Sequence, residues 1–161
     1  MTGLPIPRTR AGGASIKDAP DHHDAELVLK LYELRREPVM REARRYLGAE
    51  FWPATADELL ALTRPEHPQS AALRQVASYW EMAYGMARHG IVNPDYLAEN
   101  ADEGLYLFAK VQPWLAEYRA TGYQRGFRNA EWLATECEAG RAIFAMFREL
   151  VAKRLAARKA T

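Results

Sequence analysis

Two tryptophan-bearing helical patterns within residues 79–134 flank a short segment that stops one helix and starts the next. The segment covers residues 89–95 and reads His-Gly-Ile-Val-Asn-Pro-Asp. Gly90 can adopt the left-handed conformation that ends a helix, and Pro94 suits the first turn of a new one. The chain contains neither an alternating apolar run typical of strands nor an Asn-Gly or Asp-Gly hairpin turn. These features together predict an all-α protein.

Helical periodicity through the rest of the chain predicts one bundle of five to seven helices. Pro38 should separate the first two helices by starting the second, although a single kinked helix also fits the pattern. A central helix is predicted from Ser70 to His89, because apolar residues occupy two of its sides. Pro113 should kink the helix that follows, since proline removes a backbone donor.

The last predicted helix is long for a small domain. It runs from about Arg128 to about Ala157, which at about 1.5 Å per residue gives roughly 45 Å. Its apolar side continues nearly to its end. This C-terminal helix must therefore either cover the other helices or contact a partner chain.

Length and charge limit the classes of protein that the chain can belong to. Its 161 residues fit one domain of ordinary size. Residues 1–20 contain three Pro, three Gly and few apolar side chains, so a flexible tail is predicted ahead of a single helical domain at residues 21–161. The 22 Lys and Arg nearly balance the 21 Asp and Glu, and a formal charge of +1 argues against general nucleic-acid binding. No apolar run approaches the roughly 18 residues of a membrane helix, so we expect a cytoplasmic protein without a membrane span.

Motifs for metal and cofactor chemistry are missing from the sequence. No histidine has a Glu three residues before it, as a di-iron bundle requires. The histidines at 22 and 23, with Asp24 and Glu26 beside them, are interpreted as a polar helix start. The single Cys137 excludes a multi-cysteine zinc site and is interpreted as a reduced core residue. Phosphate-binding loops, dinucleotide fingerprints and nucleophile elbows do not occur, so neither a cofactor nor a metal is predicted.

An internal pocket is one hypothesis for a binding site. Two carboxylates stand among the central aromatics, Glu81 beside Trp80 and Glu131 beside Trp132. Each is interpreted first as a structural partner of an arginine. If polar and aromatic side chains instead converge on a pocket, its candidates are Glu81, Tyr84, Arg88, Trp114 and Arg119.

A basic face on the second helix is the best candidate for phosphate or nucleic-acid contact. Its charge comes from Arg41, Arg44 and Arg45. Glu37 and Glu42 are interleaved with these arginines, which favours surface ion pairs instead. The turn before this helix lacks the spacing of a helix-turn-helix reader, which argues against nucleic acid.

Several short motifs resemble a bacterial helical family that is classified only as a domain of unknown function. They are Tyr-Trp-Glu at 79–81, Arg-His-Gly-Ile-Val at 88–92, Pro-Asp-Tyr-Leu at 94–97, residues 114–119, and Glu-Trp-Leu-Ala at 131–134. Residues 31–36 and 38–45 are similar to the family's opening helices, so the resemblance spans about residues 25–135. It implies a helical bundle and supplies neither an activity nor a catalytic residue.

The leading functional hypothesis is a non-catalytic interaction or regulatory module. The long apolar stripe of the last helix and the missing catalytic motifs favour a homodimer, or contact with another protein, through that helix and an aromatic surface. The alternative is a small-molecule-binding or enzymatic bundle built around the internal pocket.

Overall fold

A computed structural model describes residues 16–160, which form helices and connecting turns without a β-strand. The all-α prediction is therefore confirmed. The α-helices are α1 (His22–Leu34), α2 (Pro38–Ala49), α3 (Ala56–Thr63), α4 (Ser70–Arg88), α5 (Pro94–Asn100), α6 (Glu103–Val111), α7 (Leu115–Ala120), α8 (Arg128–Glu136) and α9 (Glu138–Lys159). A 3-10 turn, Gln112–Trp114, joins α6 to α7. Residues 1–15, which make up most of the predicted tail, and residue 161 lie outside the described residues.

The helix count exceeds the predicted five to seven. The α6 helix, the 3-10 turn and α7 follow one another directly through residues 103–120, and counting them as one helical segment gives eight helices in the described part of the chain. Pro113 lies in the 3-10 turn, so this helix is interrupted where the sequence predicts a kink. The prediction of one long C-terminal helix from residue 128 is wrong, because that stretch forms two helices, α8 and α9.

The junction between α8 and α9 falls at Cys137, whose backbone is extended with φ −102° and ψ 136°. Its Sγ accepts a hydrogen bond from the Gly140 N–H at 3.3 Å. The Asp95 carboxylate, on α5, accepts one from the Ala139 N–H at 2.8 Å. These acceptors satisfy N–H groups that a continuous helix would bond internally. Apolar spacing continues across this junction, so periodicity alone cannot locate it.

A proline separates α1 from α2. Pro38 is the first residue of α2, so the alternative of a single kinked helix is wrong. Glu37 caps the new helix, because its side chain accepts a hydrogen bond from the Met40 N–H at 3.1 Å. The cap and the fixed φ of proline both belong to the local sequence, which is why the start of α2 was predictable.

The polar residues at the start of α1 form a capping box. The Asp21 carboxylate accepts a hydrogen bond from the Asp24 N–H at 3.2 Å, and Asp24 accepts one from the Asp21 N–H at 3.2 Å. Asp24 is buried and also accepts a hydrogen bond from the Asn93 N–H at 3.3 Å, which ties α1 to the start of α5. Lys17 Nζ lies 2.8 Å from Asp24 Oδ1, so contacts with the helical domain begin before residue 21.

The central helix α4 ends at Arg88, followed by Gly90 in the left-handed conformation with φ 74°. The Ile91 N–H donates to the Met86 carbonyl at 2.9 Å, and the Gly90 N–H donates to the Ala87 carbonyl at 3.0 Å. This pair of bonds is a Schellman motif, which satisfies carbonyls that the helix end would otherwise leave open. The stop signal predicted at residues 89–90 is confirmed.

Helix α4 is the centre of the bundle. It packs against α2, α3, α5, α6 and α8. Its buried side chains include Leu73, Val76, Trp80, Ala83, Tyr84 and Ala87. At the crossing with α6 the helices approach so closely that a Cβ added at Gly104 would lie 2.7 Å from Trp80 Cβ. The predicted central position of this helix is confirmed.

Helix α9 covers one side of the bundle by packing against α5, α6 and α8. Val151 is buried, and Ile143, Phe144 and Phe147 pack against the core. Phe144 stacks on Phe108 of α6 with ring centroids 5.1 Å apart. The apolar stripe of α9 therefore covers the chain's own helices, which is one of the two outcomes that its length predicts.

Candidate functional site

Glu81 and Arg88, two of the predicted pocket residues, line a polar cleft between α4 and α8. The cleft has a volume of about 230 Å³. Its lining residues are Glu81, Arg88, His89, Arg125, Arg128 and Asn129. Three arginines around one carboxylate give this cleft a net positive lining.

The Glu81 carboxylate caps the N-terminus of α8. It accepts hydrogen bonds from the Asn129 N–H at 2.9 Å and the Ala130 N–H at 2.8 Å. Phe127, which precedes α8, has a left-handed φ of 55°, a conformation that non-glycine residues adopt rarely. Burial raises the pKa of Glu81, while its backbone hydrogen bonds and the nearby Arg119 oppose that rise. Glu81 therefore joins α4 to α8 as a helix cap. The sequence predicted an ion pair with an arginine for this residue and did not predict the cap.

Tyr84 is fully buried and holds a different part of the fold. Its hydroxyl donates to the Ala101 carbonyl at 2.6 Å and accepts a hydrogen bond from the Leu105 N–H at 3.1 Å. Burial raises the pKa of Tyr84 well above its usual value. The hydroxyl therefore stays protonated and links α4 to the junction between α5 and α6.

Arg119 and Trp114 occupy two further places. Arg119 Nη2 lies 2.7 Å from Glu131 Oε2, which confirms the structural ion pair predicted for Glu131. Trp114 is half-buried and packs against the core from the 3-10 turn. Tyr84, Trp114 and Arg119 lie outside the lining of the cleft that contains Glu81. The structure thus does not bring the five pocket candidates around one cavity.

The predicted phosphate-binding arginines line a groove of about 390 Å³ between α2 and α6. They are Arg41, Arg44 and Arg45. Arg44 Nε donates to Glu103 Oε1 at 2.7 Å, and Arg45 Nη2 lies 2.8 Å from Glu42 Oε1. Arg41 donates to a backbone carbonyl of the preceding turn at 2.8 Å. Carboxylates of the chain therefore offset two of the three charges, which reduces the attraction of this groove for phosphate.

Cys137 has the environment of an unreactive thiol. It is buried, and its Sγ lies 2.9 Å from Asp95 Oδ1. Burial and the hydrogen bond to Asp95 raise the pKa of Cys137 to about 12. Because the thiolate is the nucleophilic form, this side chain is protonated and inert near neutral pH.

Lys110 is the charged residue that sequence reasoning missed. It lies in α6 with 2% of its surface exposed. Its Nζ donates to the carbonyls of Leu47 at 2.7 Å, Gly48 at 3.1 Å and Phe51 at 3.0 Å, at the end of α2. Burial, together with two arginines of α9, lowers the pKa of Lys110 to about 7, whereas the three carbonyls favour the charged form. A single lysine within the apolar run at residues 107–111 was the available sequence signal.

Two apolar grooves lie side by side where the end of α1 and the start of α2 meet α4. Their volumes are about 790 and 420 Å³, and both are lined by Ala71 and Gln75. Leu34, Val39 and Met82 also line them and are 46%, 60% and 49% exposed. We call this surface, defined by these five residues, the α1–α4 face. Sequence periodicity does not reveal this face, because its apolar residues come from three separate helices.

Within residues 16–160, no three His, Cys, Asp or Glu side chains are placed to hold a metal ion together. None of the helices described is both long enough and apolar enough to cross a membrane. The features with functional potential are therefore the polar cleft, the surroundings of Lys110 and the α1–α4 face.

The fold and these sites define an all-α bundle in which buried charged groups mainly cap helices. A family model described as a domain of unknown function (DUF4760) matches residues 20–137. Because the match covers most of the chain, the protein belongs to this family, which confirms the resemblance predicted over about residues 25–135. The match ends at Cys137, so α9 lies outside it. No curated protein and no solved structure matches the chain.

Proposed function

We propose that the protein is a non-catalytic interaction module that forms a homodimer through the α1–α4 face. The observation that carries this proposal is the pair of adjoining grooves bordered by the exposed side chains of Leu34, Val39 and Met82. Clustered exposed apolar side chains beside grooves are typical of protein–protein interaction sites.

A second copy of the chain is the occupant that suits this face best. An isologous interface uses the same patch on both subunits, so the patch must offer both protruding side chains and hollows. The α1–α4 face has both, since its three exposed apolar side chains stand beside grooves of about 790 and 420 Å³. Each copy can therefore insert apolar side chains into the grooves of the other.

The charges on the face also favour a second copy. Glu37 and Arg74, which have opposite signs, both line the larger groove. Two copies related by a twofold axis can set the acidic side of one against the basic side of the other. The formal charge of +1 per chain produces little repulsion between copies.

The C-terminal helix is the competing interface, since its apolar stripe first suggested a dimer. That stripe packs against α5, α6 and α8, and Met146 is a large apolar side chain of α9 that remains 54% exposed. A single exposed methionine is a weaker basis for association than the grouped side chains of the α1–α4 face. A bacterial, cytoplasmic setting belongs to the same proposal and rests on the family resemblance and on the reduced state inferred for Cys137.

Two methionines of similar exposure provide the test. Met82 is 49% exposed on the α1–α4 face, and Met146 is 54% exposed on α9. We expect sedimentation equilibrium to find a wild-type dimer, and Met82→Glu to weaken its association at least tenfold, because a buried unpaired carboxylate costs more than about 1.4 kcal/mol. Met146→Glu is the matched control and should leave the association constant unchanged.

Three outcomes would contradict the proposal. A wild-type protein that stays monomeric at tens of micromolar would remove the homodimer. Dissociation by Met146→Glu alone would move the interface to α9. Equal dimerisation of wild type and Met82→Glu would exclude the α1–α4 face. Circular dichroism of each variant establishes that loss of association does not reflect loss of folding.

The alternative function, a small-molecule-binding or enzymatic bundle around Glu81, Tyr84, Arg88, Trp114 and Arg119, has less support. Glu81 and Arg88 share the polar cleft, but Tyr84 and Trp114 are directed to other contacts. The cleft of about 230 Å³ is also smaller than typical ligand pockets.

A further inference from the structure

A further pocket lies between the end of α2 and the last turns of α9. Its volume is about 320 Å³. The lining residues are Gly48, Ala49, Trp52, Arg154, Ala157 and Arg158. It shares no lining residue with the grooves of the α1–α4 face, so it does not depend on the proposed dimer.

Three cations surround the indole ring of Trp52. Lys110 Nζ lies 3.8 Å from the ring centroid, and the guanidinium carbons of Arg154 and Arg158 lie 5.6 and 5.9 Å from it. These are cation–π distances, which stabilise each charge in the absence of an acidic partner. Arg154 Nη1 also donates to the Tyr106 hydroxyl at 3.3 Å.

The cations of this pocket lack acidic counterparts in the described part of the chain. The lining contains no carboxylate, and the ion pairs formed within residues 16–160 include neither Arg154 nor Arg158. The two arginines stand four residues apart on α9, a spacing at which like charges destabilise a helix. A bound anion would offset this repulsion between the two guanidinium groups.

Gly48 provides a second, independent observation. A Cβ placed on Gly48 would meet no atom within 4 Å, so close packing does not require glycine there. Glycine within a helix is nevertheless less favourable than alanine. Gly48 lines both this pocket and the neighbouring groove beside Arg44. Its lack of a side chain keeps the space between Trp52 and α9 open.

We propose that this pocket binds the phosphate group of a small ligand, which Arg154 and Arg158 contact over the Trp52 ring. Phosphate is favoured because a dianion neutralises two guanidinium groups, whose planar N–H donors match its oxygen atoms. Lys110 already donates to three carbonyls, so it contributes charge to the pocket and leaves the direct contacts to the two arginines. The phosphate belongs either to a free metabolite or to a lipid headgroup.

Isothermal titration with inorganic phosphate at constant ionic strength, and co-sedimentation with phosphatidic acid vesicles, separate these two sources. We expect the full chain to bind at least one probe. The double variant Arg154→Ala with Arg158→Ala should weaken that binding at least tenfold, because it removes two charge-assisted contacts. The matched control, Lys153→Ala with Lys159→Ala, removes the same charge from the same helix and should change binding less than threefold.

Gly48→Leu tests the pocket without removing a charge. Leucine is a better helix former than glycine and extends into open space, so this variant should fold at least as stably as the wild type. We expect it to weaken phosphate binding at least tenfold by filling the pocket. Absence of binding to both probes would overturn the proposal, as would equal losses in the arginine and lysine double variants. Undiminished binding by Gly48→Leu would overturn it as well.

Discussion

Lys110 and Glu81 perform the same task at opposite ends of two helices. Lys110 donates to carbonyls at the C-terminus of α2, and Glu81 accepts from N–H groups at the N-terminus of α8. Each charge comes from another helix and has the sign that the helix dipole favours at that end. Backbone N–H and C=O groups at a buried helix end cost free energy when they lack hydrogen-bond partners. In this fold, side chains from other helices supply those partners.

Glu81 and Lys110 differ in the charged groups that surround them. Glu81 lies in a cleft lined by arginines, and Arg119 opposes the effect of burial on its pKa. Lys110 is almost fully buried, and the nearest charges, Arg154 and Arg158, have its own sign. Burial favours the neutral form of both groups, but only at Lys110 do the neighbouring charges add to it. We therefore expect Lys110 to contribute more to stability than Glu81 and to titrate near neutral pH.

Loss of the lysine has the largest expected effect. Lys110→Met keeps the length of the side chain but leaves three carbonyls at the end of α2 without their donor. We expect the free energy of unfolding to fall by about 3 kcal/mol. The penalty for leaving buried carbonyls without a donor exceeds the desolvation penalty that is relieved when the buried charge is removed. Urea denaturation followed by circular dichroism measures the change. Lys153→Met, at an exposed position of α9, is the control and should cost less than about 0.5 kcal/mol. Equal losses in the two variants would mean that α2 needs no donor at its end.

Glu81→Gln has a smaller expected effect. The amide keeps one acceptor oxygen and places an NH2 donor where the carboxylate has its second oxygen, so the negative charge and the second acceptor facing the Asn129 N–H are lost. We expect a loss of about 1–2 kcal/mol in the free energy of unfolding, which the same denaturation experiment measures. Glu131→Gln is the comparison, because its ion pair with Arg119 is 43% exposed on the glutamate side and should be worth less than about 1 kcal/mol. A larger loss for Glu131→Gln would show that the cap on α8 is not what stabilises this region.

The pH dependence of stability is the most subtle difference. The pKa of Lys110 is about 7 in the folded chain, below its usual value of 10.5, so the unfolded chain binds this proton more tightly. Raising the pH from about 7 to about 9 should therefore increase the stability of wild type relative to Lys110→Met. Below about pH 7 both states are protonated, and the difference should level off. A difference that stays flat from pH 7 to 9 would mean that the three carbonyls keep Lys110 fully charged.

Local signals explain the parts of the fold that the sequence predicted. Gly90 after α4 and Pro38 at the start of α2 act within a few residues of themselves, so their effects follow from the chain alone. The break at Cys137 depends on Asp95, which is 42 residues away and caps α9 from α5. Periodicity cannot reveal such a cap, and the helix predicted from residue 128 was therefore too long.

The candidate sites divide in the same way. The sequence named Glu81 and Arg88 among five pocket candidates, and these two share the polar cleft. It could not indicate that the Tyr84 hydroxyl donates to the Ala101 carbonyl, because the acceptor of a buried tyrosine is set by tertiary packing. The contact between Trp52 and Arg154 could not be predicted either, because it depends on how α9 packs against the bundle.

By itself, the sequence determined the all-α class, the central position of α4, the ends set by proline and glycine, and membership of a helical family. These depend on periodicity and on backbone preferences that act over a few residues. Only the tertiary structure decided which charges cap which helices, where α8 gives way to α9, and which side chains remain exposed. Those outcomes depend on contacts between residues far apart in the chain. A buried polar group needs a hydrogen-bond partner, and tertiary packing decides which residue provides it.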